Sequence, residues 1–300
     1  MDSGVRGYRM GAIIPFLLLH LGTLAVFWIP FAWKYVVLMI ATYFLRMFGV
    51  TAGYHRYFSH RSYKMGRIPQ FLMAFLAQTS SQKGVLWWAA HHRDHHQNSD
   101  LETDIHSPWQ SGFWWSHVGW FLCDRFSETD WRLIPDLRKY PELRFLNRYA
   151  VIPPALLAAT LYGSGAWLKH ALPAWHTSGL QMLVWGFCVS TVLLYHATFA
   201  VNSLAHCFGR RHFPTSDDSR NSALIALFTF GEGWHNNHHY APSSERQGFF
   251  WWQIDASHYI LTLLSWLGLV WDLNRPPQRV YESSSSVTRP QQLVDGRGHL

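Results

Sequence analysis

Four apolar segments of the chain are each long enough to cross a lipid bilayer. A spanning helix needs about 20 consecutive, mainly apolar residues, and residues 11–30, 35–52, 149–168 and 180–200 are of this kind. Short links join the first span to the second and the third to the fourth. A much longer segment separates the second span from the third. The sequence therefore predicts an all-α integral membrane protein with four transmembrane helices in two hairpins.

The positive charges lie almost entirely outside these segments. All but three of the 25 Lys and Arg residues fall in residues 1–10, 53–148 and 204–300, and with four spans these regions share one side of the membrane. Cytoplasmic loops carry an excess of Lys and Arg, so that side is predicted to be cytoplasmic. The net charge of +7 indicates attraction to anionic membrane lipids. No basic stripe with spaced aromatic residues supports a nucleic acid partner.

A substantial part of the chain is predicted to lie outside the bilayer. The mean hydropathy of -0.06 is low for a protein made only of spanning helices. We expect residues 53–148 and 201–281 to form a cytoplasmic helical cap, which completes one membrane domain over residues 1–281. Residues 68–77 are apolar but too short to cross, and they predict an interfacial or re-entrant helix. The polar, Ser-rich tail at 282–300 is predicted to be disordered.

Histidine is the unusual residue type of this chain, with 19 copies. Three clusters stand out: HRYFSH at 55–60, HHRDHH at 91–96 and HNNHH at 235–239. The pattern H-x-x-H-H places imidazoles at positions i, i+3 and i+4, which share one face of a helix. The first cluster has its histidines at i and i+5, and an ideal helix would separate these rings by about 140°. A distorted turn is therefore required there.

Three clusters on one side of the membrane indicate a metal centre. Without His91, the three clusters contain eight histidines. One metal ion has roughly four to six coordination positions, so eight ligands suit two ions. Chance clustering or helix capping explains any single cluster far better than it explains all three. His91 lies off the H-x-x-H-H face and is predicted to be a bystander. Six isolated histidines are predicted to be packing or interface residues, and three are left open. The isolated ones are His20, His170, His176, His196, His258 and His299; the open ones are His106, His117 and His212.

The sequence around the clusters resembles the membrane fatty acyl desaturases of the stearoyl-CoA (Δ9) desaturase type, over roughly residues 10–275. The specific motifs are GYHR at 53–56, HRSY at 60–63, HRDHH at 92–96, SHVGW at 116–120, NSLAH at 202–206 and GEGWHNNHH at 231–239. The resemblance implies nine histidine ligands and an asparagine that holds a metal-bound water. The histidines are His55, His60, His92, His95, His96, His206, His235, His238 and His239, and the asparagine is Asn202. His206 and Asn202 come from the resemblance alone.

The resemblance implies a non-haem diiron enzyme that introduces a cis double bond into the saturated acyl chain of an acyl-CoA or acyl-lipid, at the ninth carbon. All-imidazole ligation suits iron that must react with O2, which is the co-substrate together with two external electrons. A diiron alkane or lipid hydroxylase is the alternative. A metal transporter is disfavoured because its ligands would lie within the spans. A zinc hydrolase is disfavoured because H-E-x-x-H is absent.

Acidic and aromatic residues near the clusters are predicted to complete the site. Five carboxylates could orient ligand rings or could instead pair with Arg56, Arg61 or Arg93. They are Asp94, Asp100, Glu102, Asp104 and Glu232. Five tryptophans could line a narrow acyl tunnel or belong to the interfacial aromatic belt. They are Trp87, Trp88, Trp114, Trp115 and Trp120.

The electron source is predicted to be a separate protein. The cysteines Cys123, Cys188 and Cys207 are isolated and cannot build an iron–sulfur centre, and no fused haem domain is expected. The resemblance therefore implies a ferredoxin, rubredoxin or cytochrome b5 type carrier with its reductase. Asp94 stands where animal members have a small residue, and the compact form resembles the bacterial branch. We expect a bacterial inner membrane, with the active site on the cytoplasmic side.

Overall fold

The computed structural model describes residues 7–286, and these are mainly helical. The α-helices are α1 (Met10–Thr23), α2 (Trp33–Phe48), α3 (Arg67–Gln78), α4 (Val85–Asn98), α5 (Pro108–Ser111), α6 (Pro141–Arg148), α7 (Ile152–Ala171), α8 (Gly179–Leu183), α9 (Ser190–Cys207), α10 (Ala223–Phe228), α11 (His235–Tyr240), α12 (Ala256–Trp266) and α13 (Arg279–Ser286). Three π-helical segments occupy Gly49–Ser59, Trp115–Gly119 and Val184–Val189. Short 3₁₀ turns occupy Leu24–Phe27, Trp120–Leu122, Asp124–Phe126 and Pro173–Trp175. The π segment Gly49–Ser59 extends α2 at its C-terminal end, and the π segment Val184–Val189 joins α8 to α9.

Within residues 7–286, three continuous helices are long and apolar enough to cross a membrane: Met10–Phe27, Trp33–Ser59 and Gly179–Cys207. A fourth candidate is the pair α6 and α7, which is bent by 68° at a short break. The structure thus has three candidate spans, or four if the bent pair counts as one. The second and last of the continuous helices run past the predicted ends at residues 52 and 200, and both extensions carry histidines that the resemblance implies as ligands.

The outward faces of these helices are apolar. No residue of α1 is buried within the protein, and Leu18 and Leu21 on it are exposed. Phe27 and Trp28, at the end of the first span, are 77% and 78% exposed. Contiguous apolar surface of this kind is unfavourable in water. The chain is a membrane protein, and lipid covers this surface.

The π-helical segment Gly49–Ser59 is the centre of the core, and all of its residues are buried. Helix α3 packs against it through Met73, Ala74 and Ala77, while Ile68 and Leu72 on the opposite face are exposed. A short helix was predicted at 68–77, and α3 confirms the helix. A Cβ atom added at Gly49 would lie 2.9 Å from the backbone nitrogen of Ala77, so the absence of a side chain permits this close packing.

The fold is mainly helical, as predicted, with one short strand pair, in which β1 (Lys64–Met65) pairs antiparallel with β2 (Val270–Trp271). This pair ties the segment after the first histidine cluster to the end of the domain. Residues 282–286 belong to α13, residues 287–300 lie outside the described residues, and the disorder of the tail at 282–300 stays a prediction.

Substituting Gly233 by alanine is expected to destabilise the protein by about 1–3 kcal/mol or more. Its added Cβ would lie 2.1 Å from the backbone nitrogen of Ala226 and 2.5 Å from the carbonyl oxygen of Ser222, so backbone must move. Thermal unfolding in detergent measures the effect. Gly163→Ala is the control, because nothing lies within 4 Å of a Cβ at this position in α7 and alanine favours a helix. Equal melting temperatures for the two variants would contradict the prediction.

Candidate metal centre

The first histidine cluster lies on the π-helical extension of α2. The backbone N–H of His60 donates to the carbonyl oxygen of His55 at 3.2 Å, which is the i→i+5 bond of a π-helix. This geometry brings the two rings onto one side, with centroids 4.8 Å apart. The distorted turn that the i, i+5 spacing required is therefore confirmed.

The nine histidines implied by the sequence come together in two groups. The first group is His55, His60, His92, His96 and His238, and the second is His95, His206, His235 and His239. In each group, one ring nitrogen per residue lies within 4.8 Å of all the others. Each group combines side chains from three helical segments that are distant in sequence.

The two H-x-x-H-H clusters contribute to both groups rather than to one. Of the cluster on α4, His92 and His96 enter the first group and His95 the second. Of the cluster on α11, His235 and His239 enter the second group while His238 enters the first. Adjacent helical positions diverge by about 100°, whereas i and i+4 nearly coincide. Each cluster therefore bridges two centres.

The spacing of the ring nitrogens fits ligands of a common metal ion. The Nε2 atoms of His55 and His238 lie 3.0 Å apart, those of His60 and His92 2.9 Å, and those of His206 and His235 3.0 Å. With metal–nitrogen bonds of about 2.1 Å, neighbouring ligands of one ion lie about 3.0–3.4 Å apart. The observed distances are close to such spacings.

The charge state of the rings also suits metal ligation. Burial lowers the pKa of His92, His96 and His238 well below the usual value, and neighbouring histidines lower it further. The rings are therefore neutral at pH 7, and each has one N–H and one lone pair. So many converging nitrogens cannot all be paired by hydrogen bonds among themselves, and cations would satisfy their lone pairs.

Carboxylates hold four of the rings through Nδ1. His95 donates to Asp104 at 3.0 Å and His206 donates to Asp100 at 2.8 Å. His239 donates to Asp217 at 2.6 Å, and His55 pairs with Glu232. Such bonds fix the tautomer and direct Nε2 towards a metal.

The pKa shifts of the carboxylates agree with this arrangement. Burial alone would raise the pKa of Asp100, but the hydrogen bond from His206 lowers it to about 2. The pKa of Asp104 is likewise lowered, because His95 outweighs burial. Burial lowers the pKa of His95, but the carboxylate of Asp104 outweighs burial, so the pKa is raised overall. These carboxylates are ionised at neutral pH.

Of the five predicted acidic residues, three contact ligand rings. Asp94 instead accepts a hydrogen bond from Asn98 at 3.1 Å, and Glu102 is exposed. Glu232 takes both predicted roles, because it also pairs with Arg56 at 3.1 Å. Sequence reasoning missed Asp217, which lies 22 positions before His239 with no regular spacing between them.

Gln247 was also missed. Its Nε2 lies 3.1 Å from Nδ1 of His55 and 2.9 Å from Glu232. It belongs to a polar loop after the third cluster, and no motif marked it. Its position against a ring of the first group makes it a part of the site.

The remaining histidines lie outside the two groups. His91 bonds the carbonyl oxygen of Trp87 through Nδ1 at 2.9 Å, as expected of a bystander. His20, His196 and His117 form a separate hydrogen-bonded row, with ring nitrogens 3.1 Å and 3.0 Å apart. His106 stacks on His95 with centroids 4.2 Å apart, and its Nδ1 has no partner among the described residues. His170, His176 and His212 are exposed, and His258 pairs with Glu245. His299 lies outside the described residues.

A cavity of about 1430 Å³ adjoins the histidine groups. His92 and Asn202 line it, as do Phe16 of α1 and Ala155 and Ala158 of α7. The volume exceeds the roughly 300–1,000 Å³ of typical small-molecule sites, and the lining from the spanning helices is apolar. Of the tryptophans predicted to line a tunnel, three do so. They are Trp87, Trp88 and Trp120, whereas Trp114 and Trp115 are not among the lining residues.

The family model described as fatty acid desaturase matches residues 30–264 of the chain. The chain belongs to the fatty acid desaturase family. This desaturase is therefore an O2-dependent oxidoreductase of lipid metabolism, and the sequence-based assignment to the family and to an enzyme is confirmed.

Characterised relatives of the desaturase differ in substrate and position. It is 37% identical to an acyl-CoA C20 Δ5-desaturase of Anemone leveillei, over 83% of this chain and 76% of the relative. It is 34% identical to an sn-1 stearoyl-lipid 9-desaturase of Synechocystis sp., over 89% and 80%. It is 35% identical to a palmitoyl-monogalactosyldiacylglycerol Δ7 desaturase of Arabidopsis thaliana, over 91% and 71%. Both acyl-CoA and acyl-lipid substrates occur among these names.

The family implies a pair of iron ions, and the donor set of this desaturase fits them. All nine converging donors are imidazoles, which suit iron. Their spacing is close to that of ligands on a common ion, and their number exceeds what one ion can take. The histidine clusters are those of a desaturase diiron site.

Proposed function

We propose that this desaturase introduces a cis double bond at the ninth carbon of a saturated acyl chain carried by CoA or by a lipid. The single observation that carries the proposal is the position of the two histidine groups beside a large, mostly apolar cavity that His92 lines. Several relatives support the ninth carbon, because their names specify it, in cyanobacteria and in Arabidopsis thaliana. Names that specify the fifth or seventh carbon are the alternatives.

The two histidine groups would hold one iron ion each. His55, His60, His92, His96 and His238 would bind the first, and His95, His206, His235 and His239 the second. Asn202, one turn before His206 on α9, would hold a water at the second ion. When bound, the iron pair supplies, with O2 and two electrons, the oxidising power to remove hydrogen from an unactivated methylene.

The residues of the chain position the acyl group and keep the site dry. Trp88 stacks on His92 with centroids 4.8 Å apart and lines the cavity beside it. The indole thus forms the cavity wall beside the ligand ring. Phe16 and Phe121, whose rings lie 5.9 Å apart, add apolar side chains to the lining. An apolar chain held there excludes water from the reacting carbons.

We further propose a topology of four spans in two hairpins, with the bent pair α6 and α7 as the third span. The concentration of Lys and Arg in residues 53–148 and 204–300 supports a cytoplasmic site. A bacterial inner membrane and a separate ferredoxin, rubredoxin or cytochrome b5 type carrier complete the proposal. Their support is the resemblance to the bacterial branch.

Lipid profiling tests the proposed reaction. The full chain is expressed in a host with few unsaturated lipids, beside His95→Ala, and fatty chains are derivatised and analysed by gas chromatography–mass spectrometry. We expect a new species that has lost two hydrogens, with its double bond at the ninth carbon, and that the His95→Ala culture lacks. A double bond elsewhere would overturn the assigned position. A product that has gained one oxygen would identify a hydroxylase instead.

The cavity is expected to set the acyl chain length. Ala158→Trp fills part of the cavity that Ala158 lines, so the ratio of C18 to C16 product should fall by about 10-fold or more, since an overfilled apolar site costs about 1–3 kcal/mol. Competition between the two acyl chains, measured by mass spectrometry, gives this ratio. Ala159→Trp is the control, because Ala159 is exposed and absent from the lining. Equal ratios in the two variants would show that the substrate lies elsewhere.

A further inference from the structure

We propose that the two metal positions differ in strength, and that the four-histidine position retains its ion at least about 10-fold more tightly than the five-histidine position. The four-histidine position is the group of His95, His206, His235 and His239. The inference rests on the proposed diiron centre. It concerns what surrounds the ligand rings rather than the ligands themselves.

Carboxylates back three of the four rings of the four-histidine position. The acceptors are Asp104 for His95, Asp100 for His206 and Asp217 for His239. The side chains of the three carboxylates are at most 7% exposed. Within residues 7–286, none of them forms an ion pair with Lys or Arg. No cationic Lys or Arg side chain therefore competes with the rings for their negative charge.

Hydrogen bonds fix these carboxylates in place. Asp100 accepts from Ser107 Oγ at 2.7 Å and from the backbone N–H of Asp218 at 2.8 Å. Asp104 accepts from the backbone N–H of Asp100 at 2.8 Å. Asp217 accepts from the backbone N–H of Ser219 at 3.0 Å. The three rings are thus oriented before a metal binds, so little ordering is required at binding.

The five-histidine position has much weaker support. Only His55 has a carboxylate at its Nδ1, that of Glu232. This carboxylate is shared with the guanidinium of Arg56, whose Nε and Nη2 donate to it at 3.2 Å and 3.1 Å. Gln247 donates to its other oxygen at 2.9 Å. The charge that reaches the ring is therefore partly neutralised.

The other rings of this position have no carboxylate partner among the described residues. His60, His92 and His96 are only partly buried. Within residues 7–286, their Nδ1 atoms therefore lack the anionic acceptors that back His95, His206 and His239.

The size of the difference in metal affinity follows from the contribution of the residues that hydrogen-bond to the ligand rings. Loss of one such partner typically weakens a metal site by about 10–100-fold, and the four-histidine position has three against one. The fifth imidazole of the other position opposes the difference. It is neutral, however, and replaces a water that would fill that place, whereas each carboxylate brings a full charge. The carboxylates therefore decide the order.

The cavity adds a functional consequence. His92 of the five-histidine position lines the cavity, whereas none of the four histidines of the other position does; that position reaches the lining through Asn202, which is proposed to hold a water there. A ligand ring of the more weakly held ion thus borders the substrate cavity directly. The two ions differ in exchangeability as well as in these contacts.

A chelator challenge of the iron-loaded, full-length protein in detergent tests the proposal. The protein is dialysed against Fe²⁺ chelators of increasing strength, and retained iron per chain is measured by mass spectrometry. We expect iron to leave in two equal steps separated by about 10-fold or more in chelator strength. Mössbauer spectra of ⁵⁷Fe protein, recorded after the first step, should show one of the two original signals. Protein that never binds two irons would contradict the proposed function, whereas release of both in one step would contradict only this inference.

Variants assign the two steps. Asp217→Asn should move the late step towards the early one by about 10–100-fold and leave the early step unchanged. Glu232→Gln should move the early step only. Glu142→Gln is the matched control, because Glu142 is a carboxylate that pairs with the exposed Arg67 and contacts no ligand ring. Asp100→Asn is the second test if Asp217→Asn does not elute as folded protein. A late step moved by Glu232→Gln instead would reverse the order and overturn the proposal.

Discussion

Replacement of His238 by alanine is expected to lower desaturation by more than about 100-fold and to halve the bound iron. His238 Nε2 lies 3.0 Å from Nε2 of His55 and 2.9 Å from that of His96. It thus joins the third histidine cluster to the first two. Alanine removes a first ligand, and even outer partners of ligands contribute about 10–100-fold. Iron per chain and double-bond formation in the expression host measure the two effects.

The control for this substitution is His170→Ala, at the exposed end of α7. It removes an imidazole far from both groups, and we expect two irons per chain and full activity. Circular dichroism and gel filtration in detergent establish that both variants are folded. If His238→Ala retained full activity with two irons, the assignment of the five-histidine position would be wrong.

The histidine clusters show what sequence spacing can predict about the site. The i, i+3, i+4 pattern and the predicted topology brought all three clusters to one place, and the i, i+5 pair correctly required a distorted turn. The division of the second and third clusters between the two groups was not predicted. It depends on how α4 and α11 face each other, and spacing within one helix does not contain that information.

Long-range contacts were the least predictable part. His206 is a single histidine at the end of α9, and only the family motif identified it. Asp217 and Gln247 reach the rings from loops, so their role depends on tertiary packing. The four predicted spans overlap the candidate spans, although two of the predicted segments end early, at residues 52 and 200. The helices continue to Ser59 and Cys207 because buried partners satisfy the polar residues there.

Arg56→Met is expected to destabilise the protein by about 3–5 kcal/mol, because removal of one partner leaves buried charges uncompensated. The Arg56 side chain is 1% exposed. It lies 3.1 Å from Glu232 and 3.0 Å from Asp255, and it donates to the carbonyl oxygen of Glu245 at 2.9 Å. Since Glu232 also holds His55, we expect iron loss to accompany unfolding. Denaturant titration in detergent, monitored by tryptophan fluorescence, measures the change.

Arg67→Met provides the matched control, since Arg67 forms an equally well-aligned pair with Glu142 at 2.7 Å and 2.9 Å. Its side chain is 65% exposed, and exposed pairs typically contribute less than about 1 kcal/mol. The difference between the variants therefore isolates burial from geometry. If the cost at Arg56 comes from unpaired carboxylates, adding Asp255→Asn to Arg56→Met should recover part of the stability. A double variant less stable than Arg56→Met would instead show that Asp255 acts mainly through its hydrogen bonds to the backbone N–H groups of Gln247 and His258, which are 2.8 Å and 3.0 Å long.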